Sequence, residues 1–120
     1  MENHCIVISG STIAMDDELT NELQKCGVVL KNSNNSRIES IIRNRNVDLI
    51  LFEISQKSGA EVQMIKKIKK GCPNLAIILI DGDRELMAEA FSYGVKDAFR
   101  KPYKSSLIVE RVNALLGGMK

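Results

Sequence analysis

Aromatic residues are scarce: the 120-residue sequence has no tryptophan, two tyrosines and three phenylalanines. None is interleaved with the one lysine-rich stretch, Lys66, Lys67, Lys69 and Lys70, as stacking on single-stranded bases would require. A formal net charge of +2 is also too small to point to nucleic acid or a membrane surface. The only histidine, His4, has no second ligand type near it, so no metal site is expected. The three cysteines, Cys5, Cys26 and Cys72, are odd in number and form no CxxC, which argues against a disulfide framework or a zinc site. The longest apolar runs, such as Leu75 to Ile80, are far below membrane-spanning length. The opening MENHCIVISG lacks a basic segment before an apolar stretch of signal-peptide length. The protein is therefore read as cytoplasmic. No linker interrupts the chain, so residues 1–120 read as one domain, with about 117–120 a tail or a cut end.

What is present is a set of short apolar runs alternating with helical patterns. Val47 to Ile54, VDLILFEI, is too short for a typical helix and reads as a strand buried on both faces. It ends in a carboxylate, Glu53. Cys5 to Ile8 is a similar run, followed by the loop Ser9-Gly10-Ser11-Thr12 with its ready helix caps. Met15, Leu19, Leu23 and Cys26 recur at helical spacing, and Gly27 is a natural stop. Val28 to Leu30 forms a short edge strand, and Asn32 to Asn35 is turn material. Ser36 and Glu39 have capping-box spacing ahead of a helix whose buried stripe is Ile38, Ile41 and Ile42.

After the polar loop Ser55 to Gly59, a third helix turns Val62, Ile65 and Ile68 inward. Its lysines fall on the opposite, solvated face, with Lys69 at the flank. Leu75 to Ile80 is another buried strand, ending in Asp81. Asp83 caps a fourth helix with Leu86, Met87, Ala90 and Phe91 inward, and Gly94 ends it. Val95 to Arg100 is the fifth strand. Lys101-Pro102 follows, and Ser105 or Ser106 caps a last helix carrying Ile108, Val109, Val112, Leu115 and Leu116.

Five strands alternating with five helices give a parallel sheet with right-handed crossovers and helices on both faces. The apolar runs mark strands 1, 3 and 4 as central, which suits the α/β flavodoxin-like doubly wound order 2-1-3-4-5. In such sheets, ligands sit beyond the carboxyl ends of the strands. That rim gathers Ser9, Gly10, Glu53, Asp81 and Lys101.

Over nearly its whole length the chain resembles a response-regulator receiver domain. The likeness is carried by AFSYGVKDAFRKPYKSSLIVERVNALL, by DLILFEI and by GAEVQMIKKIK. It implies a two-component signalling module that takes a phosphoryl group from a histidine kinase onto an aspartate ending strand 3. An acidic pair after strand 1 would help to hold Mg²⁺, and a Ser/Thr after strand 4 and a lysine after strand 5 would contact the phosphoryl group. Only Lys101 and Pro102 match that pattern. Glu53 stands at the acceptor position, Ser9 and Gly10 replace the acidic pair, Asp81 replaces the Ser/Thr, and Ala98 takes the place of the inward aromatic. Mg²⁺ prefers carboxylates, waters and phosphate oxygens in octahedral array, and without the acidic pair Glu53 is nearly alone as a protein ligand. No cofactor is therefore expected, Mg²⁺ included, and no enzymatic activity.

The expectation is a pseudo-receiver in which Lys101 pairs with Glu53, Asp81 or both. A simple salt bridge that only holds the rim together is the plainer alternative. The resemblance implies a protein partner (a histidine kinase, an output domain or a second copy) at helix 4, strand 5 and helix 5, here presenting Arg84, Glu89, Tyr93, Lys96, Tyr103 and Lys104. Two other readings stay open. One is a degenerate receiver that is still phosphorylated. The other is a small-molecule module of flavin or cobalamin type: for a flavin, Ser9 to Thr12 supply hydroxyls at a helix start, whereas a cobalamin would want a loop histidine and His4 precedes strand 1.

Overall fold

The computed structural model describes residues 4–55 and 59–117. Gly117, expected to open the tail, still belongs to the last helix, and the rest of that tail and the middle of the loop expected over Ser55 to Gly59 lie outside the described residues.

The five strands are β1 (Cys5–Ser9), β2 (Val28–Asn32), β3 (Leu49–Glu53), β4 (Ala76–Ile80) and β5 (Asp97–Phe99). The helices are α1 (Asp17–Leu23), α2 (Ile38–Asn44), α3 (Ala60–Gly71), α4 (Arg84–Ser92) and α5 (Ser105–Gly117). All pairings are parallel and the order is β2-β1-β3-β4-β5, as the alternating pattern predicts. β3 and β4 are buried at every position because both of their faces are covered.

Alternation along each strand splits the core into two layers. Val7, Ile50, Phe52, Ile77 and Leu79 pack with Ile38, Val62, Ile65, Leu86 and Ala90 from α2, α3 and α4. Ile6, Ile8, Leu49, Leu51, Ile78 and Ile80 pack with Leu19, Leu23, Ile108, Val112 and Leu116 from α1 and α5. The register sets Ser9 beside Phe52 and Glu53 beside Ile80, so the polar ends of β1 and β3 emerge together.

Several local expectations are corrected. Met15 does not belong to the α1 stripe. It sits in a 3₁₀ turn, Ile13–Met15, and is 75% exposed. Asp16, in extended conformation, breaks the helical phase and caps α1 itself, its Oδ1 accepting from the Leu19 amide at 3.0 Å. Helix α1 ends at Leu23, short of Gly27. Gly27 matters instead because a Cβ there would collide with the His4 carbonyl. No Ser36–Glu39 capping box forms. Asn34 caps the turn before α2, accepting from the Ser36 amide at 3.0 Å, and Glu39 pairs with Lys67 at 3.3 Å. In α2 only Ile38 is fully buried, while Ile41 and Ile42 are partly buried. Phe91 is 45% exposed because the α4 stripe centres on Leu86 and Ala90, one turn apart. β2 runs on to Asn32, and β5 is shorter than expected. α5 begins at Ser105, which places both serines inside its first turn. The cap at Asp83 stands, with Oδ1 accepting from the Leu86 amide at 2.8 Å.

Candidate functional site

The rim is built from the ends of four strands. β1 ends in Ser9, and the chain turns at Gly10 with φ 145°. A Cβ at Gly10 would run into the Cβ and Oε1 of Glu53, so this position has to lack a side chain. The turn brings the backbone over the end of β3 and aims its amides at the Glu53 carboxylate. Thr12 N donates to Glu53 Oε1 at 2.9 Å and Ile13 N to the same oxygen at 3.3 Å. The other oxygen, Oε2, accepts from the Thr12 hydroxyl and from Lys101 Nζ, and Lys101 Nζ also reaches the Thr12 hydroxyl. Glu53 is 2% exposed, whereas the Lys101 side chain is 35% exposed. A nearly buried carboxylate thus accepts four hydrogen bonds, one of them from a cation that water still reaches.

Electrostatics follow from this geometry. Burial alone pushes the Glu53 carboxyl up. The hydrogen bonds from Lys101, from the Thr12 hydroxyl and from the Thr12 and Ile13 amides together outweigh it and hold the group below the ordinary glutamate range. Asp81, in left-handed conformation at φ 65°, places Oδ2 3.8 Å from Lys101 Nζ. Lys101 therefore pairs directly with Glu53 and more loosely with Asp81.

Ser9 faces the other way. Its hydroxyl donates to Asn35 Oδ1 at 2.6 Å and accepts from Asn32 Nδ2 at 2.9 Å. Asn35 Nδ2 donates to the Glu53 backbone carbonyl at 2.8 Å and to the buried Glu61 carboxylate, which also accepts from the Ser55 amide and hydroxyl at 2.8 and 3.0 Å. This buried polar network fixes the backbone beneath Glu53.

On the far side, Pro102 is exposed and Tyr103 is half-buried, its hydroxyl donating to Asp16 Oδ2 at 2.5 Å. Burial, that hydrogen bond and the Asp16 charge push the Tyr103 phenol well above its usual range. The six residues expected on one interaction surface are divided. Arg84, Lys96 and Lys104 are exposed. Tyr93 is half-buried against α3, its hydroxyl donating to Glu89 Oε2 at 2.9 Å and its ring lying 5.4 Å from Lys66 Nζ. Neither tyrosine is the exposed aromatic that sequence position suggested.

Glu53, Gly10 and Lys101 converge as expected, with Asp81 at the edge, while Ser9 lies below the rim. Sequence reasoning passed over Thr12 as a Glu53 partner and the Asn32, Asn35, Ser55 and Glu61 network. The hydroxyl-rich loop was a visible signal for Thr12. Nothing marked Asn35 apart from other turn residues.

No family model matches the chain. Over 68 residues, 55% of this chain and 57% of that protein, it is 32% identical to chemotaxis protein CheY of Thermotoga maritima; the match spans just over half the length of that curated relative. Among solved structures it is similar to a CheY-like response-regulator receiver domain protein from Methanospirillum hungatei, with TM-score 0.86 and 18% identity over 98% of this chain and 96% of that one. A two-component response regulator from Clostridium difficile superposes with TM-score 0.83 and 22% identity, covering 98% of each chain. An orphan response regulator of H. pylori gives TM-score 0.82 and 19% identity over 94% of this chain and 96% of that one. The chain has the CheY-like receiver fold.

Proposed function

We propose that the protein is a receiver-type module of two-component signalling whose rim is held by its own charges instead of being switched by phosphorylation. The observation that carries this reading is the Glu53 carboxylate at the end of β3, already occupied by Lys101, Thr12 and two backbone amides. An incoming phosphoryl group would need those same donors to stabilise its charge.

The residues present also fit Mg²⁺ poorly. The Ser9 hydroxyl is committed to Asn35, Gly10 brings no side-chain ligand, and Asp81 lies beside Lys101. Among the described residues no group of three or more His, Cys, Asp or Glu side chains is placed to hold a metal. The loop amides of Thr12 and Ile13 point at Glu53, which supports this reading over an anionic small molecule such as a flavin phosphate at the same loop.

Output in this reading is protein binding, to a histidine kinase, an output domain or a second copy, through α4, β5 and α5, where Arg84 and Lys104 are exposed. The test is incubation with Mg²⁺ and acetyl phosphate followed by intact mass. No phosphate adduct on the wild type, with an adduct on a typical receiver treated in parallel, is the expected result. A stoichiometric adduct on the wild type would favour the phosphorylatable reading instead.

A further inference from the structure

The end of the molecule opposite Glu53, where β4 and β5 begin, carries a basic groove. Lys66, Lys69 and Lys70 line it from the second half of α3. Tyr93, Gly94 and Lys96 line the other wall, where α4 runs into β5, and the concavity holds about 590 Å³. The lysine-rich stretch of α3 reads from sequence as a solvated face. Folding adds Lys96 across from it and turns a charged face into a shallow, open groove.

Three observations separate this groove from ordinary surface. First, among the described residues none of these four lysines is within ion-pair distance of a carboxylate, whereas neighbouring Lys67 pairs with Glu39. Second, Lys69 is fixed in place, its Nζ donating to the carbonyls of Pro73 and Leu75 at 2.8 Å each. Burial, followed by repulsion from Lys96, makes its ammonium easier to deprotonate than an ordinary lysine. An anion lodged between Lys69 and Lys96 would relieve that repulsion. Third, Lys66 lies over the Tyr93 ring, and Tyr93 is held from behind by Glu89 and Gln63. The ring is a fixed wall and is not free to stack on a base.

We infer that this groove docks an acidic segment of a protein partner, with side-chain carboxylates meeting Lys66, Lys69, Lys70 and Lys96. Lysine point charges without arginine forks suit several separate carboxylates better than bidentate phosphate recognition. A nucleic acid would require stacking faces or a longer basic track, and the one aromatic wall, Tyr93, is already covered by Lys66. The inference does not rest on the state of Glu53.

The test is an NMR titration of the labelled full chain with N-acetylated hexaglutamate near physiological ionic strength. Separate titrations use a thymidine hexanucleotide and inorganic phosphate. Saturable shifts confined to residues around Lys66, Lys69, Tyr93, Gly94 and Lys96 are expected, with binding weakened about tenfold by Lys70→Glu or Lys96→Glu. Both positions are exposed, so these variants should fold normally. Lys25→Glu, the same charge change far from the groove, should leave the affinity unaltered. Shifts spread over all surface lysines, equal loss with Lys25→Glu, no saturable binding, or equal affinity for the oligonucleotide or phosphate would each overturn the inference.

Discussion

Replacing Lys101 with methionine removes the ammonium and keeps most of the side-chain stem. Glu53 then remains buried with the Thr12 and Ile13 donors only. Breaking a fully buried ion pair costs about 3–5 kcal/mol, and losing one charge-assisted hydrogen bond about 1.5–3 kcal/mol. Lys101 is 35% exposed, so water replaces part of what it supplied and the lower range applies. We expect a loss of about 2 kcal/mol at neutral pH, or roughly 8 °C in Tm for a domain of this length. Urea unfolding with an unchanged m-value would measure it.

The pH dependence supplies the sign. In the wild type the folded carboxyl titrates below its unfolded value, so its contribution is complete above about pH 4.3 and fades as pH falls through the folded value. In the variant, burial is opposed by fewer hydrogen bonds and the carboxyl moves up. The destabilisation should therefore be largest at neutral pH and shrink toward pH 3. Adding Glu53→Gln to Lys101→Met should cost less than the two separate losses combined, by about 1 kcal/mol or more. A loss under about 0.5 kcal/mol, the same at every pH, would refute this reasoning and leave the contact as an ordinary surface pair.

Other positions give independent checks. Gly10→Ala places a Cβ against Glu53 at φ 145° and should destabilise by at least about 2 kcal/mol in denaturant unfolding. Asn35→Ala strips partners from Ser9, Glu61 and the Glu53 carbonyl and should cost about 2–3 kcal/mol, with faster amide exchange around Ser55. Tyr103→Phe should lose about 1 kcal/mol through its bond to Asp16. In a Tyr93→Phe background, the remaining phenol should ionise well above pH 10 in an absorbance titration, because burial and Asp16 oppose the phenolate.

The layers and strand order were legible because the strands announce themselves. LILFE and AIILI are apolar runs that only a doubly covered sheet can bury, and the helices between them carry regular stripes. Errors fell at element ends, where a single hydrogen bond decides. Asp16, and not an earlier residue, caps α1, and this put Met15 into solvent. At the rim, strand order alone brings Glu53 and Lys101 together. The Thr12 contacts depend on a glycine turn whose direction no periodicity reveals. The Asn35 side chain reaches residues 26 positions away on either side, Ser9 and Glu61, through amide geometry, which sequence spacing does not encode. Tyr93 looked available for partners, but its hydroxyl is bound across the α3–α4 contact.

The central claim is that the donors around Glu53 are committed and leave no place for metal and phosphoryl group. A heteronuclear NMR titration of the labelled protein with Mg²⁺, then with beryllofluoride, tests it most directly. An unchanged spectrum at Gly10, Thr12, Glu53, Asp81 and Lys101 is the expected result. Saturable shifts clustered at those residues would contradict the claim and show a rim that still accepts a metal and a phosphoryl mimic.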